Sequence, residues 1–331
     1  VSEILEGRGF LVNFVTLKYM KNKIAIVQNP PSYLNKQETI NLVVNYIEET
    51  AKNGARLVVF PEAYISGYPT WVWRLRPGGD MALAGEIHER MVKSAVDLSS
   101  DDMQPIYEVA KENGVVVVIG MNEIDSEFSG STIFNSVVTI GPDGTVLNRH
   151  RKLMPTNPER MVWGMGGASG LRVVDIPVGR IGALICWENY MPLARYALYA
   201  QQLDILVAPT WDVGEVWQAS MRHIAREGGC WVLATATALE TKDMPKDFPE
   251  RKTVFPEDEW INGGGAMVVN PSGSVVAGPL MEKKEILYAE IDTDASKKAR
   301  RSLDVAGHYS RPDIFSFAVN RDQSKPVEFK D

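Results

Sequence analysis

Arg56-Leu57-Val58-Val59-Phe60-Pro61 in the first half of the chain and Asp204-Ile205-Leu206-Val207-Ala208-Pro209 in the second are two versions of one phrase. Each is a charged residue, a short apolar run and a proline, the pattern of a strand buried on both faces and stopped sharply. Upstream of the first copy lie a strand-like run, Ile24-Gln28, and a helical pattern over Lys36-Lys52 that ends at Asn53-Gly54. Downstream, a helix from the caps Ser100-Asp101 to Asn113-Gly114 leads into Val115-Val116-Val117-Val118-Ile119, and Gly229-Cys230-Trp231-Val232-Leu233-Ala234 repeats that entry from a helix-ending glycine. A hairpin follows in each half. The first is Phe134-Ile140, turn Gly141-Pro142-Asp143-Gly144 and return strand Thr145-His150; the second is Ala266-Asn270, turn Pro271-Ser272-Gly273 and Ser274-Gly278. Three matches in one order predict an α/β fold with internal pseudo-two-fold duplication: two sheets face to face with helices outside, a four-layer α-β-β-α sandwich.

The same reading sets domain limits. Residues 1-19 read as an extension outside the fold, with Met20 as a better start, because the strand pattern begins at once after Lys21. Residues 20-320 read as one domain and 321-331 as a C-terminal tail. Lys242-Glu259, rich in proline and charge, reads as a surface insertion.

Composition excludes several function classes. The 331 residues carry 35 Lys+Arg against 42 Asp+Glu, a formal net charge of -7, without a basic stretch, which argues against nucleic acid or an anionic membrane surface as partner. No apolar run approaches the roughly 20 residues that span a bilayer. Residues 1-19 lack the small-residue cleavage site of a secretory signal. Two cysteines, Cys186 and Cys230, make no disulfide framework, and a cytoplasmic location fits. His88, His150, His223 and His308 have no metal-ligand spacing, and no G-x-S-x-G, Walker A or dinucleotide fingerprint occurs, so no metal and no cofactor is expected.

Three chemistry-bearing residues each follow a predicted strand: Glu62 after Phe60-Pro61, Lys152 after Arg149-His150-Arg151, and Cys186 after Ile181-Ile185. Strand ends are where sites assemble in α/β folds. A carboxylate, an ammonium and a thiol converging there would supply a base, a stabilising cation and a nucleophile. Singly, each also has a plain reading, as a capping acid, a surface lysine and a buried small hydrophobe. Cys230, among Trp231-Val232-Leu233, keeps the plain one. His150 as a partner for Cys186, in the manner of a thiol protease, is a further arrangement.

Longer motifs surround these residues: Phe60-Pro61-Glu62-Ala63-Tyr64-Ile65-Ser66-Gly67-Tyr68-Pro69; Arg149-His150-Arg151-Lys152-Leu153-Met154-Pro155-Thr156 with Glu159-Arg160-Met161-Val162-Trp163-Gly164; and Cys186-Trp187-Glu188-Asn189-Tyr190-Met191-Pro192-Leu193-Ala194-Arg195. With Gly307-His308-Tyr309-Ser310-Arg311-Pro312-Asp313-Ile314-Phe315 near the end, the chain resembles the nitrilases of the carbon-nitrogen hydrolase superfamily from Lys21 to Val319. The resemblance implies the same sandwich and assigns Glu62 as general base, Lys152 as the cation, Cys186 as nucleophile and Glu159 as a supporting carboxylate. It implies hydrolysis of an organic nitrile to the acid and ammonia through a thioimidate and an acyl-enzyme.

Tyr68, Trp163 and Trp187, neighbours of these residues in sequence, are expected as pocket walls favouring an apolar substituent. An aliphatic amidase of the same superfamily is the competing enzyme, and a catalytically silent scaffold the competing non-enzyme. A homo-oligomer is expected through the helix after the nucleophile, since Tyr190-Ala200 is apolar on nearly every side. The resemblance implies dimers that extend into spirals. In this arrangement Ala197 and Leu198 are expected at the contact.

Overall fold

The computed structural model describes residues 21-322 and Val327. The expected extension at 1-19 lies outside the described residues, as does the expected tail apart from residues 321, 322 and 327.

Two sheets carry the duplication in their hydrogen bonding. In the first, β1 (Asn22–Val27), β2 (Leu57–Val59) and β3 (Val116–Ile124) run parallel, and the antiparallel hairpin β4 (Ile133–Ile140) and β5 (Val146–Arg151) extends β3. The second sheet has β6 (Val174–Ile176) antiparallel to β7 (Gly179–Ala183), then β8 (Ile205–Thr210) and β9 (Trp231–Ala236) parallel to β7. On β9 lies β11 (Trp260–Val269), which pairs antiparallel with β12 (Val275–Met281) and with the short β10 (Ala238–Glu240). An antiparallel strand borders each leading strand, β6 on β7 and β13 (Ile286–Ile291) on β1. Leu57 therefore sits between Ile24 and Val116 as Ile205 sits between Ile181 and Trp231, so the two sheets share one plan with the register intact.

Side chains alternate across each strand, and both faces are buried. Ile24, Ile26, Leu57, Val59, Val116 and Val118 meet Ile181, Ile205, Val207 and Leu233 of the other sheet. The opposite face of the first sheet, with Val58, Phe60 and Val117, packs on α1 (Lys36–Lys52) and α3 (Gln104–Asn113) through Ile40, Val43, Ile47 and Ile106. The outer face of the second packs Leu206, Val232 and Ala234 on α4 (Pro192–Tyr199) and α5 (Glu215–Gly228) through Leu198, Trp217 and Met221. Helix, sheet, sheet and helix are the four expected layers. Both α3 and α5 stop at a glycine in the left-handed region, Gly114 at φ 60° and Gly229 at φ 54°, where a side chain would be strained.

The structure corrects two expectations. Lys242-Glu259 is not a surface insertion: Met244, Phe248, Val254 and Phe255 are buried, with α6 (Arg251–Val254), against Tyr33, Trp71 and α2 (Met81–Lys93). Its prolines and charges are the connections between these anchors. On α4, Ala197 and Leu198 face the protein's own core, not a partner; the outward residue is Leu193, 65 % exposed. The last helix, α7 (Asp294–Arg300), returns against the second sheet, where Arg300 pairs with Asp204 at 2.7 Å. Among the described residues no helix is long and apolar enough to cross a membrane.

Candidate active site

The ends of β2, β5 and β7 bring Glu62, Lys152 and Cys186 together, and all three are buried. Glu62 lies in a tight loop directly after β2, where Ala63 takes φ 48° and Ser66 φ 80°. That loop rests on β3 at Gly120, where a Cβ would fall on the backbone of Pro61, Glu62 and Ala63. Lys152 follows β5, and its N–H continues the hairpin ladder to the Asn135 carbonyl at 2.8 Å. Cys186 sits in a sharp turn at φ 53°, a conformation that a non-glycine residue keeps only when its surroundings hold it.

Three hydrogen-bonding groups hold that turn. The Asn189 amide donates to the carbonyls of Leu184 at 2.8 Å and Cys186 at 2.9 Å. The Glu188 carboxylate accepts from the N–H of Ile185 at 2.6 Å and from the N–H of Leu153, beside Lys152, at 2.5 Å. Arg195, paired with Glu227 at 2.9 Å, donates to the Asn189 carbonyl at 2.7 Å. One carboxylate thus ties the turn on the second sheet to the lysine segment on the first. His150 also points its Nε2 at Glu188, at 3.0 and 3.1 Å, so the structure places this imidazole on a carboxylate and overturns the thiol-protease arrangement.

Lys152 donates to Glu62 Oε1 at 2.9 Å and to Glu159 Oε2 at 2.7 Å. A buried ammonium between two carboxylates leaves one net negative charge, and charges out of water persist only when paired and hydrogen-bonded in this way. Asn135 donates a further 2.7 Å bond to Glu62 Oε1, while Glu62 Oε2 is buried without a partner among the described residues and free to take a proton. Glu159 is fixed by the Tyr68 hydroxyl at 2.6 Å and by the Thr156 N–H at 2.6 Å. Burial raises the Glu62 carboxyl to about 7, against the pull of Lys152. Burial works against the Lys152 ammonium, yet Glu62, Cys186 and Glu159 hold its pKa above the ordinary lysine value. The Cys186 thiol is pushed up to about 12 by burial and by Glu62, with Lys152 and the Thr210 hydroxyl opposing. Ionising it requires a base at hand, and the carboxylate raised to about 7 is suited to that proton.

A cavity of about 260 Å³ reaches Cys186, lined by Tyr68, Trp73, Trp187, Trp211, Thr156, Glu159 and Asp212. Tyr68 stacks on Trp211 with centroids 4.3 Å apart and planes within 3°, and Trp187 donates its Nε1–H to Asp212 at 2.9 Å. Of the expected walls, Tyr68 and Trp187 line this cavity. Trp163 does not: it is buried behind Tyr68, bonded to Asn122 at 2.8 Å, with the Lys152 ammonium 5.7 Å from its ring centroid.

A family model described as carbon-nitrogen hydrolase matches residues 23–301. The chain belongs to that family. This carbon-nitrogen hydrolase is 38% identical to "Nitrilase 3" of Arabidopsis thaliana over 93% of its own length and 89% of the relative's. It is 39% identical to an "Aliphatic nitrilase" of Sinorhizobium fredii, covering 93% and 98%. The fold is shared with Nit3 of Saccharomyces cerevisiae, described as a member of branch 10 of the nitrilase superfamily, at TM-score 0.68 and 21% identity over 87% and 96% of the chains. It is shared as well with an amidase from Nesterenkonia sp. at TM-score 0.62 and 17% identity over 87% and 97%.

Asn135, Glu188, Thr210, Trp73, Trp211 and Asp212 were not anticipated at this hydrolase's site. Glu188 had a legible signal, a carboxylate two residues after Cys186. Asn135 had a fainter one, a polar residue near the start of a largely buried strand.

Proposed function

We propose that the protein is a nitrilase, hydrolysing an organic nitrile to the carboxylic acid and ammonia. The observation that carries this reading is Lys152 clamped between Glu62 and Glu159, with Glu159 and Cys186 lining an aromatic cavity. The similarity to proteins named nitrilases, at 38% and 39% identity across nearly the whole chain, supports it.

In this reading Glu62 accepts the Cys186 thiol proton and the thiolate attacks the nitrile carbon. The proton passes to the nitrile nitrogen, giving a thioimidate, while Lys152 and the Trp187 backbone N–H stabilise the charge that develops on nitrogen. Water deprotonated by Glu62 adds to the thioimidate carbon. Expulsion of ammonia leaves a thioester, which a second water cleaves to the acid; expulsion of sulfur first releases the amide. Glu159 acts through Lys152 as a positioning residue. The four aromatic walls favour an uncharged, apolar substituent, and with Asp212 and Glu159 as the charged lining groups, a substrate anion is disfavoured.

Ammonia release from a panel of aliphatic, arylacetic, aromatic and dinitrile substrates, each beside its matching amide, tests this directly. Turnover of nitriles well above amides is expected. Turnover confined to amides would make the protein an amidase, and ligand binding without turnover a silent scaffold.

Two further features belong to the same reading. Cys186 and Cys230 are both free, and a nucleophile that must remain a thiol fits the cytoplasm. Tyr190 and Met191 just before α4, Leu193 on it and Val216 on α5 are exposed next to the turn of Cys186, which supports a homo-oligomer, a dimer or larger, joined on this face.

A further inference from the structure

Asp204-Pro209 matches Arg56-Pro61, so the residue after each proline is also a pair: Thr210 stands in the second half where Glu62 stands in the first. The strand registers agree, since Leu57 and Ile205 hold the same position between their parallel neighbours. Both duplicated strand ends reach the same site. Thr210 is buried, and its hydroxyl donates to Cys186 Sγ at 3.3 Å. The N–H of Asp212 donates to that hydroxyl oxygen at 2.9 Å, which occupies a lone pair and leaves the hydroxyl hydrogen for the sulfur or for the Asp212 carbonyl at 3.4 Å. An anionic sulfur wins that hydrogen over a neutral carbonyl.

We propose that Thr210 is a further catalytic residue, whose hydroxyl hydrogen-bonds the Cys186 sulfur and stabilises it as thiolate. This rests on Cys186 being the nucleophile. The balance is simple: the thiol proton goes to Glu62, the sulfur keeps the electron pair, and Thr210 keeps its own proton while its hydrogen bond shortens onto the anion. The same bond favours sulfur as leaving group when the acyl-enzyme is hydrolysed. The other groups acting on this sulfur are Glu62, Lys152 and Glu159. Lys152 and Thr210 favour the anion from the two different sheets.

Thr210→Val keeps the shape and removes the hydroxyl; Thr210→Ser keeps the hydroxyl. The rate of Cys186 alkylation by iodoacetamide is measured against pH without nitrile, beside kcat and KM on the best nitrile. Thr210→Val is expected to alkylate about tenfold more slowly at neutral pH, with its thiol titration moved up by about one pH unit and kcat lowered, as for loss of one hydrogen bond to a charged group. Thr210→Ser should stay within about threefold of wild type in all of these, which is on the scale of losing one buried methyl without a new unsatisfied group. An alkylation profile unchanged in Thr210→Val, or a rise in KM alone, would show that the hydroxyl only shapes the Asp212 turn and would overturn the proposal. Equal losses in Thr210→Ser and Thr210→Val would overturn it too, since the serine retains the donor. A wild-type Cys186 that does not alkylate would instead overturn the nucleophile assignment beneath it. Circular dichroism of each variant checks the fold.

Discussion

Glu188 and His150 meet inside the protein, Nε2 3.0 Å from Oε2, with neither side chain reaching solvent. The carboxylate holds two backbone N–H groups as well, one on each side of the site. Glu188→Gln presents an NH₂ where a backbone N–H must be accepted, leaving a buried donor unsatisfied at a cost of about 1–3 kcal/mol. We expect a lower Tm, kcat reduced at least about tenfold and KM little changed, because Glu188 itself does not line the cavity. Wild-type kcat in a variant with lowered Tm would show that this carboxylate supports the fold and not the alignment.

Cys186→Ala should be folded and inactive, and Cys230→Ala folded and active. Burial also pushes the Cys230 thiol up to about 12, and the carboxylates near it are engaged elsewhere, Asp204 with Arg300 and Glu227 with Arg195. Activity in the first variant, or a folded but inactive second, would reassign the nucleophile.

Glu62→Gln and Lys152→Ala should each lower kcat by about 10²–10⁴-fold, with losses that do not add in the double variant. Wild-type activity should fall below about pH 7 as Glu62 protonates. Stability runs the other way for this group: its folded pKa is above the unfolded carboxylate value, so it favours the fold fully at pH below that value and loses this contribution as pH rises through about 7. The acid limb of the rate profile therefore should not coincide with a falling Tm between pH 7 and 6. A Tm that drops with the rate would assign the limb to unfolding.

Gly120→Ala should disable the enzyme although Gly120 does not line the cavity, because the added methyl collides with the backbone that carries Glu62. Gly85→Ala on α2, where no atom of the described residues lies within 4 Å of the added methyl, is the control and should be neutral or slightly stabilising. Comparable kcat in the two variants would remove the link between Gly120 and the base.

Leu193→Asp should shift the species seen by light scattering toward monomer and lower activity, since α4 begins six residues beyond Cys186. A fully active wild-type monomer near 36.8 kDa would refute the homo-oligomer.

The duplicated strands and α1 were legible because a buried parallel strand is a short apolar run and a capped amphipathic helix has a clear period. The proposed catalytic side chains were legible because they stand at strand ends inside long motifs. What escaped had no local pattern. Met244, Phe248, Val254 and Phe255 are spaced by prolines and charges with no single period, so their burial is visible only in three dimensions. Thr210 and Asn135 look like ordinary polar residues of a strand until other strands of their own sheets bring Cys186 and Glu62 to them. Trp163 lies close to Lys152 in sequence, but its indole N–H is spent on Asn122, which turns it from a wall of the cavity into a support behind it.

The arrangement of Glu62, Lys152 and Glu159 has an electrical consequence. Before activation the site holds two carboxylates, one ammonium and a neutral thiol; after the proton moves, it holds one carboxylate, a carboxylic acid, the ammonium and a thiolate. The sum is one negative charge in both states. Arming the nucleophile is thus a displacement of charge inside a sealed set, with no ion drawn from or released to the solvent. Above about pH 7, where Glu62 is ionised, substrate is the next species to change the composition of that set, so the charge at the site stays fixed until a nitrile enters the cavity.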